Sequence, residues 1–310
     1  MKGEDITLYA PGETQAPVTE FVSVYSKSQQ NEWFKNEEWY WANRVYEVSW
    51  DHKKPYWEFF NARVIEELKK RVKPHDFILI MGGLAQKSIA DAFPNNLTVE
   101  YCVCYEGAFS QFKVFESYAE MHYWYGRHFK GDGEFYDAVI PAYFDPEDFH
   151  TGPKGDYFLF LSRMTGRKGY EIAIEMTRQL GKKLIIAGAG GDRPKADHVE
   201  YIGYADKQKR AELLSGAIAL LCPTIYIEPF GKVTVEALMS GTPVITTDWG
   251  AFPEIVKHGF NGWRCRTLEQ FVWAGQNVDK LSTPHKIREK AIANYSLDRV
   301  RSMYQEYFRC

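Results

Sequence analysis

Apolar residues in the second half of the chain fall into short runs separated by segments of helical spacing. FLFLS (158–162) reads as a strand, and Tyr170–Leu180 carries helical periodicity. KLIIAGAGG (183–191) reads as a strand ending in glycines, and VEYIG (199–203) as another. Lys207–Ser215 follows as a helix, Ala217–Cys222 as a buried strand and Val233–Ser240 as a helix. PVITT (243–247) is the next strand, Pro253–Lys257 a helical turn, and Leu297–Phe308 a terminal helix. Strands alternating with helices across short glycine-bearing turns predict a parallel sheet covered on both faces. Such sheets bind ligands at the carboxyl ends of their strands.

The first half alternates less cleanly. Ile6–Tyr9 and Phe21–Tyr25 read as strands, Arg63–Val72 as a helix, and FILIM (77–81) as a strand running into Gly82-Gly83. LTVEYCVCY (97–105) reads as a strand, Phe112–Tyr125 as a helix, and AVIPAYFD (138–145) as a strand leading out. Between them, residues 31–60 hold Trp33, Trp39, Trp41, Trp50 and Trp57, either core or a stacking surface for sugar rings or an apolar acceptor. The turn-rich stretch Thr151–Gly155 is the expected boundary, giving domains 1–150 and 151–310. A chain of 310 residues is long enough for two such domains, and a cleft between them is a common place for a ligand.

Composition adds two constraints. Residues 1–150 carry 15 basic and 24 acidic side chains, a net −9, and residues 151–310 carry 23 and 17, a net +6. The second half therefore suits an anionic ligand, whereas the overall −3 argues against a nucleic-acid binder. No run approaches the roughly 18 apolar residues of a membrane span, and MKGEDITLYAPG lacks the pattern of a secretory leader. The five cysteines (Cys102, Cys104, Cys222, Cys265, Cys310) have no zinc-type spacing, and a reducing cytoplasm is the expected setting. Cys102 and Cys104 alternate along their run, as on one face of a strand.

The densest chemistry lies in IEPFGKVTVEALMSGTPVITT (227–247). Glu228 sits in a loop, Gly231 allows close backbone approach, and a helix opens with Glu236 inside it. A helix start offers N–H donors and partial positive charge to a diphosphate, and carboxylates accept from sugar hydroxyls. This string, with its Glu-x7-Glu spacing, resembles the nucleotide-sugar site of family 4 retaining glycosyltransferases with the GT-B fold. The resemblance implies that Glu228 contacts donor-sugar hydroxyls and Glu236 the ribose, with Phe230, Gly231, Lys232 and Val233 completing the donor site.

LSRMTGRKGYEIAIE (161–175) is similar to the family segment whose Arg and Lys hold the donor phosphates, here Arg163 and Lys168. Ser162 stands where the family usually has glycine, and Arg167 is an extra cation expected to face solvent. VEYIGYADKQKRAELL resembles the segment that holds the nucleotide base, implying Gly203 and Tyr204. The resemblance implies that the loop carrying Gly188 borders the donor pocket, a plain turn being the alternative. The run from Gly188 to Gly191 fails the dinucleotide fingerprint because Arg193 stands at its last position. HGFNGW makes His258 a turn residue.

Over the first half the resemblance is thinner. VIPAYFDPEDF matches the family's hinge with Ala142-Tyr143 replacing Asn-Gly, and the family's first strand and glycine loop have no counterpart. The N-terminal domain is therefore expected to be shortened, with Gly82-Gly83 as a partial substitute for that loop or an ordinary turn. Glu106 occupies the place of the family's histidine, facing the anomeric carbon, binding acceptor hydroxyls or simply exposed. His122 reads as a packed core histidine.

The expectation is thus an α/β chain of two Rossmann-like domains facing a cleft (GT-B), the helix 297–308 crossing back to the first. It would be a retaining hexosyltransferase using an NDP-sugar, on frequency a UDP-sugar, and a carbohydrate or other hydroxyl acceptor, with neither metal nor cofactor. Its catalytic set would be Glu228, Arg163, Lys168 and Glu106. A non-catalytic nucleotide-sugar-binding subunit and a GT-B sugar epimerase are the alternatives. Peripheral membrane contact and homo-oligomer formation stay open.

Overall fold

The computed structural model describes residues 5–34, 49–128, 131–190 and 193–309. Trp39, Trp41, Gly191 and Cys310 lie outside the described residues. Two compact units divide them, one of residues 5–34, 49–114 and 134–138, the other of 115–128, 131–133 and the described part of 139–309.

In the first unit, β1 (Thr7–Ala10) pairs in parallel with β2 (Glu20–Ser23). Helices α1 (Lys27–Phe34) and α2 (Pro55–Leu68) follow, then β3 (Phe77–Ile80), α3 (Lys87–Asp91), β4 (Leu97–Glu100) and β5 (Phe112–Phe115). A four-stranded sheet runs β3-β4-β5-β6, where β6 is Ala138–Val139. Val24, Val64, Leu68, Ile78, Ile80 and Ile89 form the buried core.

Several sequence expectations are corrected here. Residues 112–125 are not one helix: Phe112–Phe115 is a strand, and Ser117 caps α4 (Tyr118–Arg127) by accepting from Glu120 N at 3.0 Å. The 97–105 strand stops at Glu100, and Cys102 takes φ +52, so Cys102 and Cys104 share no strand face. The helix expected at 63–72 spans Pro55–Leu68, started by its proline. The strand at 138–145 is cut to Ala138–Val139, with Pro141 two residues beyond.

The second unit is read more faithfully. β7 (Tyr157–Leu161), α5 (Tyr170–Leu180), β8 (Lys183–Ala187), β9 (Val199–Gly203), α6 (Lys207–Gly216) and β10 (Leu220–Cys222) follow in order. Then come α7 (Lys232–Met239), β11 (Val244–Thr247), α8 (Phe252–Ile255), β12 (Gly262–Cys265), α9 (Leu268–Gln276), α10 (Pro284–Tyr295) and α11 (Leu297–Tyr307).

The strands form one parallel sheet ordered β12-β11-β10-β7-β8-β9. Alternation along them separates two cores. Leu159, Ile185, Leu220 and Val244 enter one, while Phe158, Phe160, Ile186, Leu221 and Ile245 enter the other. Strands apolar on both faces must be covered on both faces, which is why these runs read as continuous rather than alternating.

Candidate functional site

The strand order reverses between β7 and β10, so their carboxyl ends open a crevice rather than being bridged by a crossover. Two loops leave that point, 162–169 and 223–231, and they are tied together. Ile225 N donates to Arg167 O at 3.0 Å. A Cβ on Gly169 would stand 2.1 Å from Pro223 O.

Across this junction Lys168 Nζ donates to Glu228 Oε2 at 2.7 Å, with side chains only 18% and 10% exposed. Burial pulls the Lys168 ammonium down, but Glu228 and the Tyr226 hydroxyl outweigh it and hold its pKa above the ordinary lysine value. Arg167 is exposed as expected, yet its guanidinium lies 4.4 Å from the Tyr226 ring centroid, and Lys168 Nζ lies 5.0 Å from it. Arg163 is exposed at the end of β7, without an ion-pair partner among the described residues.

Gly231 precedes α7 at φ +84, and the helix start has no side-chain cap, leaving its first N–H groups to a ligand or water. Glu228 is fixed from behind: Ala251 N donates to its carbonyl at 3.0 Å, and a Cβ on Gly250 would approach Glu228 N to 2.4 Å. Further into α7, Glu236 is raised above the usual carboxylate range by burial, partly offset by Arg210 and Lys232. Arg210 Nε stands 3.4 Å from it. Phe230 is 3% exposed and belongs to the core, so only its backbone can meet a ligand. Lys232 Nζ pairs with Glu116 at 3.2 Å, and the Val233 side chain packs half-buried against the core.

At the other strand ends, Gly188 has φ +155, and a Cβ there would fall 1.8 Å from Ser162 O. Only glycine fits where the β8 loop crosses the β7 loop. Gly203, at φ +72, accepts from Gly188 N at 2.7 Å, and Tyr204 beside it is exposed. Glu228, Lys168, Arg163, Glu236, Gly231, Gly188 and Gly203 therefore all belong to the second unit, at the carboxyl side of its sheet or on the helix that follows.

Gly82, Gly83 and Glu106 belong to the first unit. Leu84 N donates to Gly107 O at 2.9 Å, and a Cβ on Gly83 would lie 2.8 Å from that oxygen. The turn carrying exposed Glu106 thus rests on the glycine pair. Behind it, Glu100 is fully buried and accepts from Phe109 N at 2.7 Å, Ser110 N at 2.6 Å and Tyr105 Oη at 3.2 Å. Burial raises its pKa and these donors pull it back.

Sequence reasoning passed over Tyr226 and Arg210, which carry no periodic signal, and over the segment that braces the site. Ser117 Oγ donates to Pro229 O at 2.5 Å, and Glu254 accepts from Tyr118 N and Ala119 N at 2.9 and 2.8 Å. His122 is not a core histidine: it is exposed, its ring centroid 6.3 Å from that of Tyr118. His258 is a turn residue, accepting from Arg264 N at Nδ1.

The family model for group 1 glycosyl transferases matches residues 144–294. An uncharacterized glycosyltransferase of Methanocaldococcus jannaschii is 30% identical over 48% of this chain and 40% of its own length. The phosphatidyl-myo-inositol mannosyltransferase of Mycobacterium leprae is 30% identical over 40% of this chain and 38% of its own. The chain thus spans less than half the length of these relatives. Among solved structures, Anabaena HepE in complex with UDP and glucose has a TM-score of 0.65 at 18% identity, covering 80% of each chain. Sucrose-phosphate synthase from Thermosynechococcus elongatus also scores 0.65 at 18% identity, over 86% of this chain and 81% of that one. The fold is that of GT-B glycosyltransferases, with parallel sheets in two Rossmann-like units.

Proposed function

We propose that the protein is a retaining, metal-independent glycosyltransferase that moves a hexosyl group from an NDP-sugar, a UDP-sugar for preference, to an acceptor hydroxyl. The observation that carries this reading is the 2.7 Å Lys168–Glu228 pair at the point where the strand order reverses. It joins a fixed cation and a sugar-facing carboxylate beside an uncapped helix start. The matching family model and the UDP and glucose bound to HepE point the same way.

In this reading Arg163, Lys168 and the start of α7 receive the diphosphate, and Glu236 takes the ribose hydroxyls. Glu228 accepts from hydroxyls of the transferring sugar. The acceptor oxygen bonds to the anomeric carbon on the face from which the diphosphate leaves, as the carbon–oxygen bond to phosphate breaks. The acceptor proton passes to the departing phosphate oxygen. Preorganised positive charge at the leaving group replaces the role a metal plays elsewhere. The acceptor is assigned to the first unit, where Glu106 supplies an exposed carboxylate.

The test is release of NDP from a panel of UDP-, GDP- and ADP-sugars. Glu228→Ala, and Glu228→Gln as its shape-conserving counterpart, should lose at least about 100-fold in turnover while retaining wild-type circular dichroism. Near-native turnover in both removes the assignment. Binding of an NDP-sugar by the wild type with no turnover on any acceptor makes the chain a binding subunit instead.

A further inference from the structure

The second unit contains a cavity of about 420 Å³ outside the loops assigned above. Its floor is apolar, built from Leu238, Ile255, Val256, Ala291 and Tyr295. Its walls and rim are cationic: Lys257, Lys290 and Arg264 line it together with His258. Among the described residues, neither Lys257 nor Lys290 forms an ion pair, and Lys257 Nζ merely overlies the Phe260 ring at 5.4 Å. The carboxylate of Glu254 at the rim is already engaged by two backbone N–H groups of α4.

Two polar atoms in the wall are buried without a partner. Asn261 is 4% exposed, and its Nδ2 donates to Ile255 O at 3.2 Å, but its Oδ1 accepts from nothing. Arg264 holds Asp248 at 3.2 Å through one terminal nitrogen, while its Nε is buried and unsatisfied. Buried polar atoms ordinarily find partners, and both orphans belong to residues that line the cavity, so the protein does not complete this polar wall by itself. The His258 ring adds a donor at the rim: with Nδ1 accepting from Arg264 N, the neutral ring presents Nε2–H.

We propose that this cavity is a second binding site, for a phosphomonoester carried on a small polyhydroxy body. Lys257, Lys290 and Arg264 take the phosphate, since point charges and a guanidinium suit its oxygens. The half-buried Asn294 amide in the lining accepts from a hydroxyl, and Tyr295 offers its ring face to the carbon skeleton. The volume is in the range of small-molecule sites. The proposal does not rest on the donor-site assignment, because none of its residues serves there.

Titration calorimetry on the full chain, with UDP held in excess so that donor-site binding is masked, tests it with ribose 5-phosphate, inorganic phosphate and ribose. Ribose 5-phosphate should bind at one equivalent, at least about tenfold more tightly than inorganic phosphate. Ribose alone should give no heat. The double variant Lys257→Gln/Lys290→Gln should weaken ribose 5-phosphate binding by at least about tenfold, with UDP affinity unchanged. No ribose 5-phosphate binding to the wild type, or equal affinity in the double variant, overturns the proposal. Inorganic phosphate binding as tightly as the ester overturns the polyhydroxy assignment. Failure of UDP to bind counts against the donor site alone, because the comparison of wild type with the double variant still reports on this cavity.

Discussion

Glu228 and Glu236 stand eight positions apart and meet different fates. Glu228 is neutralised by Lys168, whereas Glu236 is buried with its nearest cation, Arg210, at 3.4 Å. A carboxyl whose folded pKa is raised keeps its proton longer in the folded chain than in the unfolded one. Its ionisation therefore costs stability as pH rises from the ordinary carboxylate range through the raised value. Glu236→Gln removes that loss, so the stability of the variant relative to wild type should climb with pH across that window. Urea unfolding at several values from about pH 4 to 7 checks this. A pH-independent difference would show that Glu236 does not titrate differently in the folded state. Both glutamates stand out in the sequence as candidates because their spacing sits within a long recognisable string. Tyr226 does not, since an aromatic side chain in a loop gains its meaning only when Arg167 and Lys168 fold beneath it.

Secondary structure was legible where apolar residues repeat and where caps are local. The six strands of the larger sheet include the five read from sequence, and α5 runs Tyr170–Leu180 as expected. The 97–105 run failed for an identifiable reason. It has the apolar residues of a strand, but the buried carboxylate of Glu100 organises the residues after it into a loop by collecting two backbone N–H groups and a phenol. A distant acceptor of this kind leaves no periodic trace. Glu100→Ala should strip both amides of their partner, each buried orphan costing about 1–3 kcal/mol. Chemical denaturation measures the loss, and a change below about 1 kcal/mol would mean that water or another acceptor replaces the carboxylate.

Thermodynamically, the two units differ in what a nucleotide can do for them. If the diphosphate binds the second unit, UDP stabilises that unit by mass action, by about 2.7 kcal/mol at one hundred times its dissociation constant. Scanning calorimetry with and without UDP should then raise the transition of the second unit and spare any separable transition of the first. A shift confined to the first unit would relocate the nucleotide. The charge contrast agrees with this assignment, since the net +6 falls on residues 151–310. The second unit is not, however, one uninterrupted stretch of chain. Residues 115–128 and 131–133 belong with it, and they supply the Ser117 bond to Pro229, the Glu116 partner of Lys232 and the α4 amides held by Glu254. A gene fusion that transplants only the segment after residue 150 would therefore carry the 223–231 loop without its brace. Recombination between relatives, in the laboratory or in evolution, keeps this site whole only if the crossover falls before Phe115.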